Sequence, residues 1–146
     1  QVTLTLWRSG AELTVPLATV ELSGRDIERV LVWAGATLQA PHRAMAAQRG
    51  IQPDGVFIAF FMYGSPASRY KLWAGRRITE VDGIPVPDLD AFIRAVSGRP
   101  DRSSLRLKTV SWNDAVEVIT LRLDRHYWPA YELRRSNGGW QRVPLE

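Results

Sequence analysis

The side chains that could perform chemistry are few and lie far apart in the sequence. His42 and His126 are the only histidines, and neither has another metal-binding side chain three or four residues away. Because a metal site needs three or four converging ligands, both histidines are predicted to be surface or packing residues. The chain also has no cysteine, which excludes thiolate metal sites, cysteine nucleophiles and disulfides.

Ser65 is the serine best placed to act as a nucleophile, because it follows Gly64 on a predicted turn. Pro66 comes directly after it and removes a backbone N–H that an oxyanion hole would use. Helix capping explains Ser65 without catalysis. Glu80 and Asp82 would share one face of a strand as a carboxylate pair, but the turn dipeptide that Asp82 begins is the better explanation. No catalytic, cofactor or metal site is predicted.

One arrangement in the sequence favours binding. A glycine-containing loop, Trp33 to Ala36, precedes a predicted strand, and an amphipathic helix over Leu89 to Val96 would lie beside that strand. An unpaired strand edge is a template for an added peptide strand, and a glycine turn at its start can form a nest for a terminal carboxylate. The alternative is that these residues simply pack the core, and composition leaves both interpretations open.

Apolar alternation and turn signals predict strands at both ends of the chain, with two short helices between them. Val2 to Leu22 has the pattern of a hairpin, and 105–123 repeats that pattern. One helix is predicted to begin after Ser65 and the other after Asp88. The fold class is therefore a small, mostly antiparallel α+β domain. The aromatic and polar tail, 126–146, is expected to pack back on it.

Composition narrows the class of partner. The net charge is +4, but the arginines that dominate it are dispersed, so no nucleic-acid partner is predicted. Apolar runs are too short for a membrane span, and 45% hydrophobic residues argue against intrinsic disorder. The chain starts at Gln1 rather than Met, which suggests a piece of a longer protein. The sequence leaves the compartment unknown. The arginine bias favours a bacterial source.

The runs 64–67, 72–75 and 78–83 together resemble the PDZ signature, followed as in PDZ domains by a short helix and a final hairpin. The pattern is similar to the PDZ domains of HtrA/DegP-type (Do-like) serine proteases, in particular the tandem-PDZ branch with fungal nuclear members. The resemblance implies a PDZ-like sandwich or partly open barrel of five to six strands with two short helices. It places a preceding unit's hairpin at 1–22, a linker at 23–29, the PDZ domain at 30–125 and a tail at 126–146.

The resemblance also implies where a peptide would bind. The loop 33–36 would hold the carboxylate, 36–38 would be the ligand-pairing strand, and one face of the helix would line the groove while Phe92 turns to the core. A helical insertion at 41–50 would shield the groove. The implied peptide-binding residues are Trp33, Ala34, Gly35, Ala36, Thr37, Leu38, Leu89, Ile93 and Val96.

The function that the resemblance implies is a non-catalytic module of a serine endopeptidase that captures extended or C-terminal hydrophobic peptide segments by β-strand addition. Two alternatives remain: a regulatory PDZ domain docking between protease subunits without binding free peptide, or the PDZ domain of a non-protease envelope protein. Since a lone hairpin is unfavourable in water, Val2 to Leu22 is expected to pair with the PDZ sheet or a neighbouring chain, for example in a strand-exchanged homodimer.

Overall fold

The structure is a computed structural model that describes residues 1–19, 27–50, 52–136 and 138–145. The strands in these ranges are β1 Val2–Arg8, β2 Ala11–Leu17, β3 Arg29–Trp33, β4 Ala36–Gln39, β5 Val56–Phe61, β6 Arg77–Val81, β7 Ile84–Pro85, β8 Ser104–Val110, β9 Val116–Arg122, β10 Tyr131–Ser136 and β11 Gly139–Pro144. The helices are α1 Arg43–Arg49, α2 Pro66–Arg69 and α3 Leu89–Val96. None of the described helices is long and apolar enough to cross a membrane.

The main sheet has the strand order β11-β10-β3-β4-β5-β6-β8-β9, with β7 paired to β6. Its described strand pairs are antiparallel, which confirms the predicted fold class. The sheet stays open between its outer strands β11 and β9 and does not close into a barrel. It exceeds the expected five to six strands in part because the tail adds β10 and β11. The structure has one helix more than the two short helices expected. This additional helix is α1, and it lies inside the segment 41–50, where a helical insertion is predicted.

The first hairpin forms a separate two-stranded sheet, β1 with β2. Pairing of these strands with the main sheet, one of the two expectations for them, is therefore not seen among the described residues. The register places Val2, Leu4 and Leu6 opposite Leu17, Val15 and Leu13. Directly opposed residues share one face of an antiparallel pair, so these six side chains form an aliphatic face on the hairpin, with Arg8 beside them at the turn end. Residues 20–22 of the predicted hairpin and 23–26 of the predicted linker lie outside the described residues.

The core lies between the main sheet and α3. Phe92 of α3 is completely buried, as predicted, and meets the Trp33 indole edge to face with ring centroids 5.3 Å apart. The caps of the helices also match the sequence signals, since the Ser65 hydroxyl accepts from the Ser68 N–H and the Asp88 carboxylate accepts from the Ala91 N–H. Trp33 and Phe92 therefore join β3 to α3 at the centre of the domain.

The contact of Phe92 with Trp33 predicts a large difference between two phenylalanines. Phe92→Ala should lower the free energy of unfolding by about 3–5 kcal/mol, because a fully buried aromatic leaves a cavity. Phe60→Ala, at a side chain that is 57% exposed on β5, is the matched control and should cost no more than about 1 kcal/mol. Urea denaturation of both variants tests this, and equal losses would contradict the assignment of the core.

Candidate functional site

The side chains of β3 that point toward α3 define one wall of a groove. At one end, Arg29 Nη2 lies 2.6 Å from Asp90 Oδ1 of α3. At the other end, Trp33 packs on Phe92. Because alternate residues of a strand share a face, Arg29, Leu31 and Trp33 all project to the α3 side. The edge of β3 and the flank of α3 thus bound a groove about one strand wide.

A strand of the same chain already lies along this edge. β10 pairs with β3 in antiparallel register, with Tyr131 opposite Val32 and Arg134 opposite Arg29. Glu132 is opposite Leu31, so Glu132 and Arg134 share the face that looks toward α3. The β10 strand therefore has the position and orientation of a strand added beside a helix.

The charged groups at this junction form one network. Glu132 is only 2% exposed, and its Oε1 lies 2.5 Å from Arg29 Nε while its Oε2 lies 2.7 Å from Arg134 Nε. A buried carboxylate is tolerated only when it is paired and hydrogen-bonded, and here two guanidinium groups serve it. The hydrogen bonds that Arg29 donates to Asp90 and Glu132 raise the pKa of Arg29, and the bond that Asp90 accepts lowers the pKa of its carboxyl.

The tail also closes the groove at the C-terminal end of α3. A small cavity there is lined by Trp33 and Val96 together with Trp128, Ala130 and Leu145 of the tail. Arg125 fixes the tail in place: its N–H donates to Asp101 Oδ1 at 2.7 Å, which lowers the pKa of that carboxyl, and its Nη2 donates to the Leu145 carbonyl at 3.2 Å.

Among the residues that the structure describes, none closes the groove at the N-terminal end of α3. A cavity of about 220 Å³ lies there, and its lining includes one cation and three carboxylates. It is lined by Ile27, Glu28, Arg29, Gln39, Ala40, Asp88, Leu89 and Asp90. An antiparallel strand on β3 points its C-terminal end toward this cavity, because β10 runs from Tyr131 beside Val32 to Arg134 beside Arg29.

The predicted carboxylate loop, 33–36, is a closed turn. Ala34 and Gly35 form its tip with φ of 51° and 77°, and the structure buries Trp33, Ala34 and Ala36. The carbonyl groups at the tip of the turn are both hydrogen-bonded. The Ala34 oxygen accepts from the Ala67 N–H at 2.9 Å, and the Gly35 oxygen accepts from the Met62 N–H at 2.8 Å. The loop is covered by the segment before α2 and does not face the groove as an open nest.

The predicted ligand-pairing strand, Ala36, Thr37 and Leu38, is part of β4 and is flanked on both sides. It pairs with β3 on one edge and with β5 on the other. An added strand needs free N–H and C=O groups, so it cannot pair with β4 while both neighbours are in place. β3 is likewise flanked, by β4 and β10, but β10 belongs to the tail, and the edge of β3 that it occupies lies beside α3.

The helix residues lie where the sequence places them. Leu89 and Val96 are buried on the flank of α3, and Ile93 is half-buried against the core. The sequence did not indicate Arg29, Asp90 and Glu132, because they converge from positions more than 40 residues apart. The only available signal was in the tail, where β-forming residues flank the turn dipeptide Gly138-Gly139 and so favour a hairpin.

The side chains considered for catalysis have structural partners. Glu80 lies 2.5 Å from Lys108 Nζ and Asp82 lies 2.8 Å from Arg99 Nη2, so each carboxylate has its own cation. The Ser65 hydroxyl donates to the Met62 carbonyl at 2.5 Å as well as capping α2. Across the described ranges, no three His, Asp or Glu side chains cluster as a metal site would require.

Comparison with known families decides the identity of this fold. The family model described as PDZ-like domain matches residues 26–102, which contain β3, the turn, α2 and α3. This chain belongs to the PDZ-like domain family. The resemblance inferred from the signature runs is thereby confirmed.

Relatives of this PDZ-like domain are named as proteases. The chain is 40% identical over 134 residues to Protease Do-like 7 of Arabidopsis thaliana, covering 90% of this chain and 12% of the relative. It is 35% identical over 139 residues to the pro-apoptotic serine protease nma111 of Neosartorya fischeri, covering 93% of this chain and 14% of the relative. The chain thus spans about one eighth of the length of these proteins.

A solved structure supports the fold. "HtrA-type protease AlgW with decapeptide" superposes with a TM-score of 0.56 at 19% identity, covering 65% of this chain and 29% of that one. At this identity the likeness concerns the architecture alone. It agrees with an open, mostly antiparallel sheet flanked by short helices.

The closed turn of the PDZ-like domain predicts an unequal effect of two glycine substitutions. Gly35 and Gly83 are both second residues of tight turns, with φ of 77° and 83°. A Cβ on Gly35 would lie 2.1 Å from Ser65 Cβ, whereas a Cβ on Gly83 would meet nothing within 4 Å. Gly83→Ala should cost about 1 kcal/mol from backbone strain. Gly35→Ala adds the overlap and should cost about 1–3 kcal/mol more. Chemical denaturation measures both, and equal costs would show that the turn is not covered.

Proposed function

We propose that this chain is a non-catalytic, peptide-binding PDZ module of an HtrA-type serine endopeptidase, and that it holds extended segments by strand addition along β3. The observation that carries the proposal is the pairing of β10 with β3. It supports an edge of β3, beside α3, that takes an antiparallel strand. In such a mode main-chain hydrogen bonds provide affinity, and alternate side chains of the ligand meet α3.

The protease is proposed for the longer protein, not for this chain. Both relatives named above are proteases, and the chain spans only 12% and 14% of them. Within the described residues Ser65 is engaged in capping and Asp82 in an ion pair. Cleavage would therefore be carried out by another part of the longer protein, and this module would bind the substrate peptide.

The proposed peptide site consists of the β3 edge and the α3 flank. On β3 it includes Arg29 and Trp33, and on α3 it includes Leu89, Ile93 and Val96. The apolar side chains of α3 favour aliphatic ligand residues where the groove is dry. A solved protein of similar fold is described as "HtrA-type protease AlgW with decapeptide", which agrees with a peptide ligand.

We expect the ligand to be an internal extended segment more than a free C-terminus. The C-terminal end of an antiparallel ligand would lie beside the open cavity, where Glu28, Asp88 and Asp90 outnumber Arg29. Like charges repel, so a terminal carboxylate is disfavoured there while a continuing chain is not. The turn at 33–36, which is closed, offers no alternative seat for it.

A second candidate function is docking between subunits without free peptide. The observation in its favour is that the β3 edge is filled by β10 while the aliphatic face of the β1–β2 hairpin is open. Peptide titration separates the two candidates, because a purely docking module would not bind free extended peptides.

Strand addition is tested by backbone N-methylation of a probe peptide. The probe is the amidated, fluorescein-labelled segment 130–136, Ala-Tyr-Glu-Leu-Arg-Arg-Ser. In the chain the Arg135 N–H donates to the Glu28 carbonyl at 2.8 Å, so by alternation the N–H of Leu133 also points to β3 and that of Glu132 points away. N-methylation at the Leu133 position should weaken binding by roughly tenfold, from one lost hydrogen bond and a steric clash.

N-methylation at the Glu132 position of the probe is the matched control and should change affinity far less. Fluorescence anisotropy is measured with the wild-type chain and with the variant Glu132→Ala, in which β10 has lost its buried carboxylate. Equal effects of the two methyl groups would contradict strand addition. Affinity weaker than about 1 mM for both proteins, worth only about 4 kcal/mol, would favour docking.

A further prediction concerns the end of the ligand. An unlabelled peptide that ends at the residue opposite Arg29 should bind more tightly as the amide than as the free acid. The expected ratio is roughly threefold to tenfold at low salt, because the three carboxylates near the cavity repel the extra charge. Competition titrations at low and high salt measure the ratio, which should shrink with screening. Tighter binding of the free acid would place a carboxylate-binding site at this end instead.

A further inference from the structure

We infer that β10 is an internal ligand of the groove. It occupies the β3 edge in cis and is held there by the contact of Glu132 with Arg29. An external peptide that carries a glutamate at the same position competes with β10 for this edge. The inference rests on the proposed function and adds to it a resident competitor and a preferred ligand chemistry.

The side chains of β10 are oriented like those of a ligand strand in the groove. Its pairing with β3 directs Glu132 and Arg134 toward α3 and directs Tyr131 and Leu133 to the opposite face. Ala130 lies one residue before the strand, on the α3 side by alternation, and packs against the core. The segment thus presents a small residue, an acid and a cation in turn to the groove, as an alternating ligand would.

The charge of the Arg29 guanidinium determines which ligand side chain the groove prefers. With β10 absent, the Arg29 guanidinium would keep Asp90 as its partner, but its Nε would lose the Glu132 carboxylate at 2.5 Å. A carboxylate in this position is a charge-assisted hydrogen-bond acceptor in a nearly dry place, whereas an aliphatic side chain would leave the Nε donor without a partner. The seat is therefore selective for an acidic residue in the middle of the added strand.

The β10 strand is attached to the domain mainly along one edge. On its far side β10 pairs only with β11, and every residue of β11 is exposed. Arg134 keeps about half of its side chain in water. The β10–β11 hairpin is held at its base, where Ala130 and Leu145 pack against the core, and along β10 by the pairing with β3 and the buried Glu132. A strand held in this way can be exchanged while the domain remains folded.

The consequence is a reduction in apparent affinity for external peptides. A segment tethered in cis competes at an effective concentration that is on the order of millimolar for short flexible tethers. The apparent dissociation constant rises by the inverse of the fraction of chains whose groove is empty. Loosening β10 should therefore increase binding of a peptide added in trans, without any change in the groove itself.

The test uses the full 146-residue chain and the amidated probe 130–136 described above. Leu133→Pro removes the N–H that pairs β10 with β3, and Glu132→Ala removes the anchor. Each variant should bind the probe at least roughly tenfold more tightly than wild type, because Glu132→Ala removes charge-assisted hydrogen bonds and Leu133→Pro removes a main-chain hydrogen bond and adds a steric clash. Glu117→Ala, which removes a glutamate on the outer strand β9 with an ion pair to Arg76, is the matched control and should bind as wild type.

Specificity is read in the same titration. A probe with alanine at the glutamate position should bind the Leu133→Pro chain roughly tenfold more weakly, and Arg29→Ala in that background should abolish this difference. Hydrogen exchange of the amides of β5 and β6 checks that each variant is folded. If Leu133→Pro does not fold, Glu132→Ala supplies the comparison.

The outcomes separate this inference from the proposed function. Equal binding of the probe to the wild-type chain and to both folded variants would overturn the internal ligand while leaving peptide binding intact. Tighter binding to the variants without a preference for glutamate would overturn the selectivity. Failure of all folded chains to bind any probe below about 1 mM would remove the proposed function and the inference together.

Discussion

Burial of the Glu132 carboxylate is the constraint on which the geometry of the groove depends. A charge taken out of water costs several kcal/mol unless it is paired, and the chain meets this cost with Arg29 and Arg134. Arg29 is held in turn by Asp90, so β3, β10 and α3 meet at one point. The separation of helix and strand is fixed there by hydrogen-bond lengths, and at the other end of the groove by the contact of Trp33 with Phe92.

The turn between β3 and β4 decides which strand edge is available. Gly35 lets the turn between β3 and β4 lie against Ser65, and β5 pairs with the edge of β4 that faces away from β3. Of these two strands, β3 is the one whose outer edge lies beside α3, and the tail strand β10 occupies that edge. We therefore propose the binding edge on the first strand of the hairpin, with the closed turn serving as structural support.

Local signals in the sequence were sufficient for most elements. The caps at Ser65 and Asp88, the turn at Asp82-Gly83 and the amphipathic pattern around Phe92 each act within a few residues, and the structure contains all of them. The pairing of β10 with β3 joins residues about 100 positions apart, and alternation alone does not indicate which neighbour a strand chooses. For the same reason alternation does not distinguish β4, where the sequence predicts the ligand edge, from β3, where we propose it, and it did not indicate that Arg29 and Glu132 converge.

The aliphatic face of the β1–β2 hairpin has a consequence for how the chain behaves as a colloid. Val2, Leu4, Leu6, Leu13 and Leu17 are each between 41% and 47% exposed, so a continuous apolar patch faces solvent. At low ionic strength the net charge of +4 keeps chains apart. Salt screens that repulsion, and excluded salts such as sulfate strengthen apolar burial. Rising salt is therefore expected to favour self-association of the chain through this face, the reverse of a protein whose contacts are ionic.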